Sequence, residues 1–464
     1  MVNDKINEYI DLQKDEMIST LKSLIEIPSY QQERHDGMPF GEGPAKALKK
    51  ALEISKDFGF SVRNYDNYVG TLDFLDSEPL LGILCHLDVV PEGTGWTYPP
   101  YECVISNGNI YGRGTIDDKG PAVAVLYAMR ALKNLKIPLK HNVRFIMGTN
   151  EENGSKDLEY YEKIEKMPPM LFTPDGNYPV INIEKGMLRV SFGAEFNENN
   201  DTPHIISISG GKTINAVPYE ASAKISGVSN TEIKQHINDF NCNVEFTTTE
   251  NNGSIIIYAK GKSAHASTPE HGENAVTALL KLLINLPFSE TESLKLLKNI
   301  VKLFPYGETN GNSLNLSCSD EKSGALTLVF SVFDYSDGQF NGKLDIRFPL
   351  CETKQGVVDK LSKTLELNGL TVIETSGSEP HYVDENSQFV QTLLNVYKEQ
   401  TGLNPYCEAI GGGTYVHNTS GGVAFGAVFP NQDNRMHGVD EFISVDNLLL
   451  NAKIFAHAIV EICG

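Results

Sequence analysis

Ile18, Leu21, Leu24 and Ile25 recur at helical spacing and stop at Pro28, which predicts an opening helix with one apolar face docked on the first domain. Leu80 to Cys85 and Val143 to Met147 are short, largely apolar stretches that read as buried strands. Between them, Gly120 to Leu135 carries the Ala, Val and Leu pattern of a packed helix, with Pro121 in its first turn. Strand, helix, strand, with acidic and histidine residues at the strand exits, predicts an α/β domain whose ligands lie beyond the carboxyl ends of the strands.

From about Glu184 the texture changes. Strand-like stretches at Leu188 to Phe192, Ile205 to Ser209 and Ser254 to Tyr258 alternate with helical ones such as Ala275 to Leu286, and no further metal-ligand candidates occur there. The earlier pattern resumes with an apolar strand from Val423 to Val428, then His437, then an amphipathic helix from Ser444 to Ile462. This predicts a mixed-sheet α/β domain made of residues 1–183 and 381–464, interrupted by an α+β domain at 184–380 that is placed to act as a lid.

A length of 464 residues agrees with more than one domain, and 40% hydrophobic with 21% charged residues is the composition of an ordinary globular protein. The formal net charge of -21 repels phosphate backbones and anionic bilayers, so nucleic acid and membrane surfaces are not expected partners. Seven cysteines are scattered singly with no C-x-x-C spacing, which predicts reduced, structural thiols. The amino terminus lacks the pattern of a signal peptide, and no apolar run approaches the ~20 residues of a membrane span, so the expected compartment is the cytoplasm.

The chemistry lies in five short segments: His86-Leu-Asp88, Asp117-Asp118, Glu151-Glu152, Asp175 in Phe172-Thr-Pro-Asp, and His437 in Arg435-Met-His-Gly-Val-Asp-Glu. They offer enough imidazole and carboxylate to hold two divalent cations with one carboxylate shared, and such a pair activates water at neutral pH. Nitrogen and carboxylate oxygen together suit zinc, manganese or cobalt. Asp88 falls on the same side of an extended chain as His86 and can fix the tautomer of the ring. Of Asp117 and Asp118, one can cap the following helix while the other bridges metals; crowded together they call for a neutralising cation. If the strand continues through Glu151 and Glu152, their side chains point to opposite sides, one toward a metal and one toward water.

Two other motifs do not hold. Gly210-Gly-Lys-Thr213 lacks the first glycine of a phosphate-binding loop, where Ile206 stands, and Gly261-Lys-Ser263-Ala-His265 lacks the closing glycine of a nucleophile elbow.

Taken in order, His86-Leu-Asp88-Val-Val-Pro, Tyr111-Gly-Arg-Gly-Thr-Ile-Asp-Asp-Lys-Gly, Gly148-Thr-Asn-Glu-Glu, Thr173-Pro-Asp175 and Met436-His437 resemble the di-metal aminoacylase and carboxypeptidase G2 superfamily of metallopeptidases. Within it the chain looks most like the PepV-type bacterial dipeptidases. The resemblance implies that Asp117 bridges two metals, that His86 and Asp175 complete one site, and that Glu152 and His437 complete the other. It implies Asp88 as the residue orienting a ligand, Glu151 as general base, and a cis bond between Asp117 and Asp118. On the lid and rim it implies His265 as oxyanion partner, with Asn215, Arg347 and the loop Gly411, Gly412, Gly413 and Thr414 holding the substrate's terminal carboxylate.

The implied activity is hydrolysis of dipeptides with free amino and carboxyl ends, by a monomer carrying two divalent ions, zinc foremost. The rival readings are an N-acyl-amino-acid amidohydrolase, of which a desuccinylase is one example, and a non-catalytic peptide binder on the same scaffold.

Overall fold

The computed structural model describes residues 2–195, 202–251 and 253–464. The chain divides into two compact units. The first comprises the residues up to Ile183 with Tyr382–Glu408 and Gly413–Gly464; the second comprises Glu184–His381 and Ala409–Gly412. The expected boundary near residue 381 therefore has a short exception, because Ala409–Gly412 goes with the second unit. There Lys185 N–H donates to Ile410 O at 2.9 Å, and Arg347 Nη1 donates to Gly411 O at 2.7 Å.

At the centre of the first unit, within a nine-stranded mixed sheet, the strands Asn142–Gly148, Pro79–His86, Met170–Thr173 and Gly422–Ala424 lie side by side and parallel. Alternate side chains leave a strand on opposite faces. Thus Leu81, Ile83, Cys85, Val143, Phe145 and Met147 enter the larger core, against the helices Lys119–Asn134 and Val445–Cys463. Leu84, Ile146 and Leu171 enter a smaller core with Leu158, Tyr161 and Tyr415. Burial on both faces is why these strands read as largely apolar stretches rather than as alternating ones, with Arg144 the exception that pairs with Asp73 at 2.9 Å.

The predicted opening helix is observed as Lys14–Ile25, preceded by a further helix, Val2–Leu12. The last helix is Val445–Cys463, with Ser444 as its cap: the Ser444 side chain accepts the Asn447 N–H. The strand expected over Val423 to Val428 is shorter, Gly422–Ala424, because the chain turns at Gly426, whose φ is +89°. Tyr178 lies against that glycine so closely that a Cβ there would stand 2.5 Å from its ring.

The second unit is an eight-stranded antiparallel sheet in the order Glu245–Asn251, Ser254–Lys260, Glu220–Ser226, His204–Gly210, Thr327–Ser336, Gln339–Phe348, Gly186–Glu195, Thr371–Ser378. Ala275–Leu283, Glu292–Leu303 and Lys354–Glu366 supply the helical side of its own hydrophobic core.

Candidate metal centre

The parallel register sets the site. His86 ends its strand and pairs with Gly148, the last residue of the neighbouring strand, while Asp175 follows the end of Met170–Thr173 two residues on. Side chains leaving adjacent parallel strands at their carboxyl ends converge at one sheet edge. Asp117 joins them from the turn before the helix Lys119–Asn134, and His437 from the loop between Gly422–Ala424 and Phe442–Ser444.

Asp117 is the centre of the cluster. Its Oδ1 lies 2.9 Å from His86 Nε2 and its Oδ2 lies 2.7 Å from His437 Nε2. His437 Nε2 is also 3.2 Å from Glu152 Oε1, and His86 Nε2 is 3.7 Å from Asp175 Oδ2. The donor atoms fall into two overlapping groups able to hold a cation: His86 with Glu151 and Asp175, and His86 with Asp117 and Glu152. The His86 ring is fully buried, whereas the His437 side chain is 53% exposed. The Asp117–Asp118 peptide bond is cis.

The surrounding bonds differ from the sequence expectation in three ways. The tautomer of His86 is addressed by the main chain of Asp88: Nδ1 lies 2.9 Å from the Asp88 carbonyl oxygen, while the carboxylate is 3.6 Å away. That carboxylate instead accepts the backbone N–H groups of Glu151 at 3.1 Å and Glu152 at 3.2 Å. Secondly, the strand does not continue through the two glutamates. It ends at Gly148, and Glu151–Asn153 forms a 3-10 turn closed by Gly154 at φ +100°. Thirdly, Asp118 does not cap the helix with its side chain; its Oδ2 accepts the His86 N–H at 3.1 Å.

The electrostatics call for positive charge. Burial and the neighbouring Asp117 raise the Asp175 carboxyl to about 7. Burial likewise raises Asp88 to about 7, even with His86 beside it. Loss of water and the neighbouring Asp175 push Glu151 well above the usual carboxylate range. Burial opposes charge on His437, yet contact with Asp117 and Glu152 outweighs it and raises the imidazole to about 11. Asp117 is held below the usual range because the two histidines overcome its burial. Among the described residues, buried His86 Nε2 and Glu152 Oε1 make no hydrogen bond of standard geometry, although Asp117 Oδ1 and His437 Nε2 stand 2.9 and 3.2 Å from them. Burial opposes charge on His86 too, yet contact with Asp117 outweighs it and raises the imidazole well above its ordinary value; with Nδ1 turned to a carbonyl, Nε2 faces the carboxylates, where a bound cation would supply the positive charge instead. Two imidazoles and several carboxylates fit divalent zinc, manganese or cobalt.

Four residues without an assignment from sequence help to shape this edge. Asp157 Oδ2 accepts Thr149 N–H at 2.6 Å, Asn150 N–H at 2.9 Å and the Tyr415 hydroxyl at 2.5 Å. Nothing local marks Asp157 or Tyr415. Arg113 and Glu441, a buried ion pair, stand inside motifs already noted, Tyr111-Gly-Arg-Gly and Met-His-Gly-Val-Asp-Glu, and that position was the available signal.

The remaining candidates lie mostly in the second unit. His265 Nδ1 is 2.7 Å from Ser267 Oγ, and the Asn215 segment runs beside it, with Ala266 N–H donating to Asn215 O at 2.9 Å. Arg347 is buried, and its fork is engaged by Asp345, at 2.5 Å from Nε and 3.0 Å from Nη2. Gly411 and Gly412 belong to this unit, whereas Gly413 and Thr414 belong to the first. There the Thr414 side chain caps the turn Tyr415–Asn418 by accepting the Val416 N–H.

Residues 82–461 match the model of peptidase family M20/M25/M40. The chain belongs to that family. A putative dipeptidase, YtjP, of Bacillus subtilis (strain 168) is 36% identical over 462 residues, covering 97% of each chain. A Beta-Ala-Xaa dipeptidase of Lactobacillus delbrueckii subsp. lactis is 34% identical over 470 residues, 98% of this chain and 97% of the relative. Among solved structures, human carnosine dipeptidase 1 shares the fold with a TM-score of 0.58 at 16% identity, covering 99% of both chains. The chain is thus a peptidase of mixed α/β fold, and the site described above lies within the matched region.

Proposed function

We propose that the chain is a metal-dependent dipeptidase that hydrolyses dipeptides with free amino and carboxyl ends. The observation that carries this reading is the convergence of His86, His437, Asp175 and Glu152 on Asp117, with Glu151 alongside. Relatives named as dipeptidases, matched along almost their whole length, support it.

His86, Asp117 and Asp175 would hold one divalent ion, and Asp117, Glu152 and His437 the other, with zinc the first choice. Bound there, such ions polarise a carbonyl and lower the pKa of water. Glu151 takes a proton from the attacking water and passes it to the leaving amine as the new C–O bond forms and the C–N bond breaks. Asp88 holds the Glu151–Glu152 turn through two backbone N–H groups and so orients base and ligand together.

On the family resemblance we assign His265 to the oxyanion. Asn215, Arg347 and the Gly411–Thr414 loop are assigned to the terminal carboxylate. We further propose a cytoplasmic monomer. The seven cysteines are free, and among the described residues no helix is long and apolar enough to cross a membrane.

Metal analysis of the purified protein, followed by a substrate panel with zinc, manganese and cobalt, tests the reading. Turnover of free dipeptides, β-alanyl ones included, is the expected result. Preference for N-acyl amino acids would replace it with the amidohydrolase reading, and binding without turnover by metal-loaded protein would leave only a peptide binder.

A further inference from the structure

The dipeptidase reading leaves one buried ion pair without a part. Arg113 is 1% exposed and Glu441 fully buried, and Arg113 Nη1 stands 2.5 Å from Glu441 Oε2. Each partner also grips a different metal-ligand loop. Glu441 Oε1 accepts Gly114 N–H at 3.0 Å, Ile116 N–H at 3.0 Å and Asp117 N–H at 3.4 Å. Arg113 Nη2 donates to the carbonyls of His437 at 3.3 Å and Gly438 at 3.1 Å. One guanidinium–carboxylate contact therefore links the loop carrying Asp117 to the loop carrying His437.

The His437 loop requires such support. Arg435, His437 and Asp440 have φ of +55°, +60° and +56°, a region in which residues with a Cβ are uncommon. His86, by contrast, is placed by a strand end and by the Asp88 carbonyl, independently of this pair. Stability alone is a poor reason to bury an ion pair, because its desolvation offsets much of its attraction. The geometry it enforces is a better one.

We infer that Arg113 and Glu441 are positioning residues: they hold His437 against Asp117 and thereby set the cation affinity of the His437 site, with far less effect on the His86 site. This inference rests on the two-metal reading above.

The test is zinc binding by Glu441→Gln and Arg113→Lys, counted as ions per chain by elemental analysis after equilibrium dialysis over a range of free zinc. Circular dichroism reports folding. The parent should hold two zinc ions. Each folded variant should keep one with an affinity within a few-fold of the parent's and bind the second roughly 10- to 100-fold more weakly, the usual effect of removing outer support from a metal ligand. A folded Glu441→Gln that binds both ions as the parent does would overturn the inference. If that variant does not fold, Arg113→Lys decides in its place, since lysine keeps the charge but cannot fork across two carbonyls.

If the parent binds fewer than two ions, the two-metal reading fails. Hydrogen exchange at the Gly114 and Ile116 amides then judges the linkage by itself. Faster exchange in the variants supports it, and unchanged exchange refutes it.

Discussion

Tyr415 donates its phenolic hydrogen to Asp157 Oδ2 at 2.5 Å, joining residues 258 positions apart in the chain. The same carboxylate oxygen accepts the backbone N–H groups of Thr149 and Asn150, so the bond ties the turn carrying Glu151 and Glu152 to the segment after the Gly411–Thr414 loop. Its surroundings are tight: a Cβ added at Gly148 would stand 1.9 Å from the Tyr415 hydroxyl oxygen and 2.5 Å from Asp157 Oδ2.

Tyr415→Phe removes a donor from a buried carboxylate and should destabilise the first unit by about 1–3 kcal/mol. Gly148→Ala should cost more, because it displaces the tyrosine and the aspartate together. As both act on one cluster, the double variant should be less destabilised than the sum of the two. Urea unfolding measures this, and strictly additive losses would show that the three residues do not act as a unit.

Glu151→Gln keeps the shape of the turn and its backbone bonds to Asp88 but has no carboxylate to carry a proton. Dipeptide turnover should fall by about 10²–10⁴-fold with the metal content unchanged. Parental kcat in a metal-replete Glu151→Gln protein would remove Glu151 from the role of base.

Because Asp117 lies within ion-pair distance of both histidines, Asp117→Asn should weaken both cation sites, whereas His437→Ala should spare the one built on His86. Chelation should lower the thermal midpoint of the parent, since a ligand bound only by the native state stabilises it by mass action, and added zinc should restore it. An unchanged midpoint in Asp117→Asn on chelation is the matching control. Equal zinc content in the parent and in Asp117→Asn would contradict the shared-ligand arrangement.

His457 gives a pH dependence remote from the metal centre. It is 4% exposed on the last helix, Val445–Cys463, its Nε2 is 3.0 Å from Asn7 Oδ1, and burial lowers its pKa from 6.5. The folded state therefore binds this proton less readily than the unfolded state. The contribution is fully present above pH 6.5 and is lost as pH falls through the lowered value. His457→Gln should lose less stability than the parent between pH 7 and pH 5 in urea titrations. Parallel losses would show that His457 does not titrate between the two states.

Element types were legible along the chain wherever burial is simple. Pro79–His86 and Asn142–Gly148 are buried throughout or nearly so, and their largely apolar stretches, with Arg144 the exception, mark them as buried strands. The apolar pattern from Val423 to Val428 predicts a longer strand than Gly422–Ala424 because Gly426 and its packing against Tyr178 are tertiary matters. Whether the strand continues through Glu151 and Glu152 is not legible locally, because no pattern along the chain announces that Asp88 and Asp157, on separate segments, collect the N–H groups of residues 149–152 into a turn.

By itself the amino-acid order determined the α/β class, the interrupted domain and the series of short motifs from His86 to His437, because periodicity and residue type are properties of neighbouring positions. Which atoms face one another depends on how distant segments pack. Parallel register brings the ends of the strands bearing His86 and Gly148 together, and left-handed backbone at His437 and the Arg113–Glu441 pair bring the fifth segment to Asp117. Those are contacts between segments up to hundreds of positions apart, and their geometry exists only once the chain has packed.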